Sequence, residues 1–379
     1  MHIVIDENIP ETQVFAQFGR VVKRAGRAIS AADVREADAL IVRSITQVNR
    51  ELLQGSAVKF VGTCTIGTDH LDLDYLNSQK IAWTNAPGCN AQAVVEYVLA
   101  ALQVLAQRTG GTLSQRVFGI VGAGQVGQRL ANVLRKLGYQ VLLCDPPRQQ
   151  LEAASVQEYV ELATILAKCD VISIHTPLDK SGNWPTLHMF SAQQLAALQP
   201  GTWLINAARG AVIDNQSLLA CLLQRKDLAV VLDVWEPEPE FNPELAALCQ
   251  LATPHIAGYS LDGKIRGTEM IFNAFCQHFN LTANTRIKYP EPLLQAIKLS
   301  SAASVESMRG LLTTVLYDPR TDDAAMRMLF RLAAQQRGTG FDSLRKNYPI
   351  RRELATLRIS GQGYTAEQQL LFQALQLSL

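Results

Sequence analysis

"GIVGAGQVG", residues 119–127, closes the β-branched run "VFGIVG" (117–122) and opens onto "VGQRLANVLRKLG" (126–138), whose apolar spacing is helical. Its glycines, Gly122, Gly124 and Gly127, stand in G-x-G-x-x-G spacing. Alone the pattern is weak, but between a strand and a helix each glycine has a task. Gly122 permits a tight turn, Gly124 lets a pyrophosphate approach the backbone, and Gly127 allows close helix–strand packing. The helix N-terminus, with Gln125 and Val126 in its first turn, offers free N–H groups and partial positive charge to phosphates. Asp145 ends the next strand, "QVLLCD" (140–145), where its carboxylate can accept the adenosine ribose hydroxyls and repel a 2′-phosphate. NAD is therefore expected over NADP, although Arg148 lies close by in sequence.

Strand–helix alternation extends outward on both sides. Downstream, "DVISIH" (170–175), "TWLIN" (202–206) and "AVVLDV" (229–234) read as strands, with helical segments such as "DNQSLLACLLQRK" between them. Upstream, "HIVID" (2–6), "ALIVRS" (39–44), "KFVGTCT" (59–65) and "IAWTN" (81–85) form a second set, followed by a long helix at 90–108. Two such sets predict an α/β chain with two Rossmann-like, doubly wound parallel-sheet domains. From about residue 286, "YPEP" breaks the chain and a mixed α+β segment closes it.

A chain of 379 residues exceeds one ordinary core, and 48% hydrophobic with 18% charged residues is a globular balance. A net charge of +1 gives no field directed at nucleic acid or membrane. Residues 286–379 are locally basic, with thirteen Lys and Arg against eight Asp and Glu. The seven cysteines are dispersed without a C-x-x-C pair, so neither a zinc site nor a disulfide framework is expected, and no other metal site is read. Dispersed thiols, acids near the N-terminus and the lack of a long apolar run point to a cytoplasmic protein.

Ligands of such sheets sit at the carboxyl edge of the strands. Three ionisable residues fall there: Arg209 after "LINAA", Glu238 within "LDVWEPEP" (232–239), and His255 in "TPHIAG" (253–258). An arginine flanked by small residues can present its fork to a carboxylate. A histidine with a glutamate to orient it can carry a proton. Beside a nicotinamide site the three make a hydride-transfer constellation.

These stretches, with "HTPL" (175–178) and "NAARGAVID" (206–214), resemble the D-2-hydroxyacid dehydrogenase family over about residues 1–285. The resemblance implies that Arg209 binds the substrate carboxylate and that His255 is the acid/base, paired with Glu238. The family spacing from Asp233 selects Glu238 over Glu236. It further implies that Thr176, Ala207, Asp233 and Gly258 line the cofactor. In the family's domain plan, residues 1–92 and 256–285 form the substrate domain around an NAD-binding domain at 93–255. "VRSIT" (42–46), "VGTCTIGTDHLD" (61–72), Tyr259 and the closing segment resemble a branch acting on a longer, phosphorylated hydroxyacid. That likeness implies substrate contacts from Ser44, Thr65 and Tyr259, and a homodimer joined through residues 286–379. Its nearest rivals are another phosphorylated-hydroxyacid dehydrogenase, whose regulatory Asn/Asp-x-Pro-Gly turn is missing from 286–379, and a non-enzymatic NAD-sensing partner protein.

Overall fold

The computed structural model describes residues 1–152 and 158–379 and divides into two compact units. The first comprises Met1–Ala91 and Ser260–Glu291. Its sheet holds β1 (His2–Asp6), β2 (Arg20–Arg24), β3 (Ala39–Val42), β4 (Phe60–Thr63) and β5 (Ala82–Thr84), all parallel, in the order β2-β1-β3-β4-β5. Alternation along β1 sends Ile3 and Ile5 to one core, with Phe272 and Phe275 of helix Leu261–His278, and Val4 to another, with Leu40 and Val61. Both faces are thus covered, as continuous apolar strands require.

The second unit comprises Gln92–Tyr259 and Pro292–Leu379. Its strands are β6 (Val117–Val121), β7 (Gln140–Cys144), β8 (Val171–Ile174), β9 (Trp203–Asn206), β10 (Ala229–Leu232) and β11 (Leu251–Ala252). They lie parallel in the order β11-β10-β9-β8-β6-β7. The order reverses beside β6, the strand that delivers the glycine turn, and this is the switch point where such sheets bind ligands. Phe118 and Ile120 face a core with Val98 and Leu102 of helix Ala91–Thr109, while Val230 and Leu232 of β10 face the opposite one.

In the two large sheets, two of the described strands escaped the sequence reading. β2, "RVVKR", is a charged edge strand, and β11 is only two residues long. Return to the first unit falls at Ser260, later than the expected 256, and the closing segment joins the second unit at Pro292. That segment contributes a small parallel pair, β12 (Ala296–Lys298) and β13 (Arg358–Ser360), and helices at Val305–Leu312, Pro319–Met328, Ala334–Lys346 and Ala366–Ala374. Its apolar side chains share the cofactor-side cores. Met308, Leu312, Phe372 and Leu375 pack with Leu130 and Leu134, whereas Met326 and Phe341 pack with Trp235 and Phe241. The stretches at 310–317 and 326–334, whose apolar content called for a cover, find much of it within their own chain.

Candidate active site

Gly122 leaves β6 at φ 90°, a left-handed conformation that favours glycine, with its N–H donated to the Cys144 carbonyl at 2.8 Å. A Cβ on Gly127 would collide with the Gly122 carbonyl oxygen, so the helix Gln125–Lys136 seats directly against the turn. At Gly124, its N-cap, a Cβ would meet nothing within 4 Å. The turn is therefore tight on its protein side and open at the middle glycine, the profile of a backbone that a pyrophosphate approaches. Asp145 holds this turn as well as facing it. One carboxylate oxygen accepts the Ala123 N–H at 2.8 Å, and the other accepts the Arg148 N–H at 3.0 Å as N-cap of the helix Pro146–Leu151.

Thr176 follows β8, and its buried hydroxyl has no hydrogen-bond partner among the described residues. A buried hydroxyl left unmade costs stability, and a ligand donor or acceptor would recover it. The open Gly124 and the orphaned Thr176 oxygen thus fit an NAD molecule on this edge. Ala207 follows β9 and packs partly buried against the core. Burial pushes the neighbouring His175 down to about 3, and its Nε2 pairs with the Ser173 hydroxyl at 2.8 Å.

Beyond β9, the Asn206 amide donates to the Arg209 carbonyl at 2.9 Å, and the Arg209 guanidinium donates to the Ala208 carbonyl at 2.8 Å. Gly210 follows because a Cβ there would run into the Trp235 carbonyl. Beyond β10, Glu236 and Glu238 go to two different histidines. Glu236 accepts from His188 at 2.8 Å, and these two with Asp214 bring their ligand atoms within 4.8 Å of one another. Glu238 lies 2.8 Å from His255 Nδ1 through one oxygen and accepts the Trp235 N–H at 2.9 Å through the other. Burial pushes the Glu238 carboxyl up, but the facing imidazole and these hydrogen bonds outweigh it and hold the group below its ordinary range.

His255 takes a left-handed backbone, φ 56°, that costs a non-glycine residue about 1 kcal/mol or more. Asp233 supports it. Its carbonyl accepts the His255 N–H at 2.7 Å, while its buried carboxylate accepts the Thr253 hydroxyl and the Ile256 and Ala257 N–H groups at 2.6–2.8 Å. That carboxylate thereby fastens the turn that carries His255. Such a task has no signature in sequence. Gly258 and Tyr259 complete the turn, with the Tyr259 N–H on the Ile256 carbonyl at 2.7 Å. With Nδ1 directed at a carboxylate, Nε2 is the ring atom left to exchange a proton with a ligand.

The two expected substrate contacts of the first unit lie just past strand ends. Ser44 is exposed after β3. Thr65, after β4, shares a 2.7 Å hydroxyl contact with Thr63 and donates to the Gly67 carbonyl at 3.1 Å.

Residues 93–257 match the family described as "D-isomer specific 2-hydroxyacid dehydrogenase, NAD binding domain", and residues 289–375 match one described as a domain of unknown function. The chain is 55% identical over 378 residues to an erythronate-4-phosphate dehydrogenase of Ectopseudomonas mendocina, covering 99% of each chain. It is 50% identical, with the same coverage, to that of Pseudomonas aeruginosa. Among solved structures it is similar to an NAD⁺-bound 3-phosphoglycerate dehydrogenase of Entamoeba histolytica, with TM-score 0.64, 24% identity, and 76% and 99% of the two chains covered. It is also similar to a D-lactate dehydrogenase of Aquifex aeolicus complexed with NAD and lactic acid, with TM-score 0.61, 22% identity, and 74% and 96% covered. At those identities the structural likeness speaks for the fold.

Proposed function

From a chain that belongs to the erythronate-4-phosphate dehydrogenases, a branch of the D-isomer specific 2-hydroxyacid dehydrogenases, we infer an NAD-dependent oxidoreductase. It oxidises the 2-hydroxyl of 4-phospho-D-erythronate to (R)-3-hydroxy-2-oxo-4-phosphooxybutanoate, a step of pyridoxal 5′-phosphate biosynthesis. The observation that carries the chemistry is the 2.8 Å His255–Glu238 pair beyond the strand edge that also bears the glycine turn and Arg209.

Bound NAD supplies the hydride acceptor. His255 Nε2 takes the proton of the substrate hydroxyl, and in the reverse direction returns it to the carbonyl oxygen. Glu238 fixes the ring tautomer, with the proton on Nδ1, and favours the imidazolium that forms. Arg209 grips the substrate carboxylate, its planar fork matching the two oxygens. Gly122, Gly124, Gln125, Val126 and Gly127 cradle the pyrophosphate, Asp145 takes the adenosine ribose, and Thr176, Ala207, Asp233 and Gly258 border the cofactor. Ser44, Thr65 and Tyr259 contact the substrate. Lys264 lies close enough to Arg43 to feel its charge, and burial with that charge pushes it down to about 8.

The same reading proposes a cytoplasmic homodimer joined through residues 286–379. Leu311, Met328 and Ile350 are exposed there, and the described structure includes no helix long and apolar enough to cross a membrane. Leu311→Glu combined with Met328→Glu is expected to halve the mass measured by light scattering. For the reaction, NADH absorbance is followed with 4-phospho-D-erythronate, 3-phosphoglycerate and D-lactate. Preference in kcat/KM for the first is expected, and turnover of another in its place would overturn the substrate assignment.

A further inference from the structure

We propose that Arg345, from the C-terminal segment, is a positioning residue of the catalytic pair: its guanidinium, seated against Tyr259 in the turn that follows His255, sets a buried positive charge that opposes the Glu238 carboxylate paired with His255. The proposal rests on His255 and Glu238 being the proton-transfer pair.

Helix Ala334–Lys346 brings Arg345 in, and only 15% of its side chain remains exposed. The guanidinium carbon lies 5.9 Å from the centre of the Tyr259 ring and 5.8 Å from that of Phe341, both within cation–π range. It is hydrogen-bonded to the Tyr259 side chain and coupled to the Glu238 charge. Its ion pair with Asp342, on the same helix, is long at 3.9 Å, and its Nε is buried without a partner among the described residues. A guanidinium taken out of water at this cost is poorly explained by packing, which Leu or Met would serve better.

Two further residues of the segment converge on the same turn. Tyr348 packs edge-on against Tyr259 with ring centres 5.6 Å apart. Arg351 donates to the Ala257 carbonyl at 3.1 Å and to the Ala93 carbonyl at 2.6 Å. Residues 345, 348 and 351 thus clamp residues 257–259, immediately after His255. The titratable groups around the Arg345 guanidinium are Glu238, Tyr259 and Asp342, with His255 beyond Glu238 and Tyr348 beyond Tyr259.

The charges alternate in sign: Arg345, Glu238, then His255 once it has accepted a proton. The outer cation keeps Glu238 ionised while the imidazole is neutral, and it limits how strongly the carboxylate favours the imidazolium. Removing the outer cation leaves Glu238 unopposed in favouring the imidazolium.

Arg345→Met and Arg345→Gln remove the cation in the full-length protein, and Arg345→Lys keeps a charge without the fork. Both neutral variants are expected to lose about ten- to a hundredfold in kcat with unchanged KM for NAD. The acidic limb of kcat/KM for alcohol oxidation should rise by on the order of one pH unit. Lysine should return the limb toward its original position while recovering only part of kcat. The His255 ring, followed by NMR titration without substrate, should shift in the same sense, and this readout holds whichever hydroxyacid is the substrate. Circular dichroism identifies a variant that has lost its fold, and the decision then falls to the other neutral one. A folded neutral variant with an unmoved limb and an unmoved His255 titration would overturn the proposal, whatever its loss of rate.

Discussion

Glu238 is committed at both oxygens, one to the Trp235 amide and one to His255. Its folded-state value is depressed, so the stability it contributes is present above its unfolded value of about 4.3 and is lost as pH falls through the folded one. Glu238→Gln removes the negative charge beside the imidazole, which then releases its proton at lower pH. The acidic limb of kcat/KM is expected to move down, opposite to the Arg345 variants, and a shift upward would exclude the assigned pairing. His255→Ala should cost about two to four powers of ten in kcat while NAD binding, read by fluorescence quenching, stays near normal. Two glycines three positions apart make a sharper test. Gly127→Ala drives a Cβ into the Gly122 carbonyl and should lower the melting temperature, whereas Gly124→Ala adds one into open space and should weaken NAD with little change in melting. Equal effects in calorimetry would contradict that division of labour. The proximity of His255 and Glu238 was legible because residue type and family spacing single out both together. The hold of Asp233 on this turn was not legible, since a carboxylate capping an internal turn looks in sequence like any other. Arg345 was invisible, because its partners lie far away along the chain.

Strands buried on both faces announce themselves as short β-branched runs, and β1, β3, β4 and the cofactor-side strands through β10 stand where those runs predict. β2 failed that test because an edge strand carries charge to discourage further pairing, and its Arg20, Lys23 and Arg24 are exposed. Helix starts follow their caps: Asp145, Asp214 and Ser260 each accept an N–H of the first turn. Asp145 serves two elements at once, capping Pro146–Leu151 and tying Ala123 in the glycine turn. Asp145→Ala is therefore expected to cost about 1 kcal/mol of stability and to narrow the preference for NAD over NADP. Melting curves and kcat/KM for the two cofactors measure these separately. A narrowed preference at unchanged stability would show that the cap is dispensable.

For the molecule as a whole, the closing segment is where sequence reading fell furthest short. Its apolar runs called for a cover, and sequence does not say whether the cover is cis or trans. Met308, Leu312, Leu371 and Phe372 lie in one core with Leu130 and Leu134, so removing residues 292–379 strips apolar surface from the cofactor-binding unit. Aggregated or partly unfolded protein is expected, seen by light scattering and dye binding, instead of a soluble monomer. A well-folded truncated protein that still binds NAD would refute the shared core. Each unit is moreover assembled from two stretches, so the polypeptide passes between them after residues 91, 259 and 291. On the ribosome this arrangement imposes a delay. The first unit cannot close before residue 291 emerges, and the second waits for the helix Ala366–Ala374. At translation speeds of roughly 5–20 residues per second, that wait lasts on the order of ten seconds, with the apolar flank of the nascent NAD-binding sheet unshielded. Vectorial synthesis thus makes this chain a customer for chaperones. Ribosome-stalled nascent chains ending near residue 290 should be far more protease-sensitive than chains released at full length.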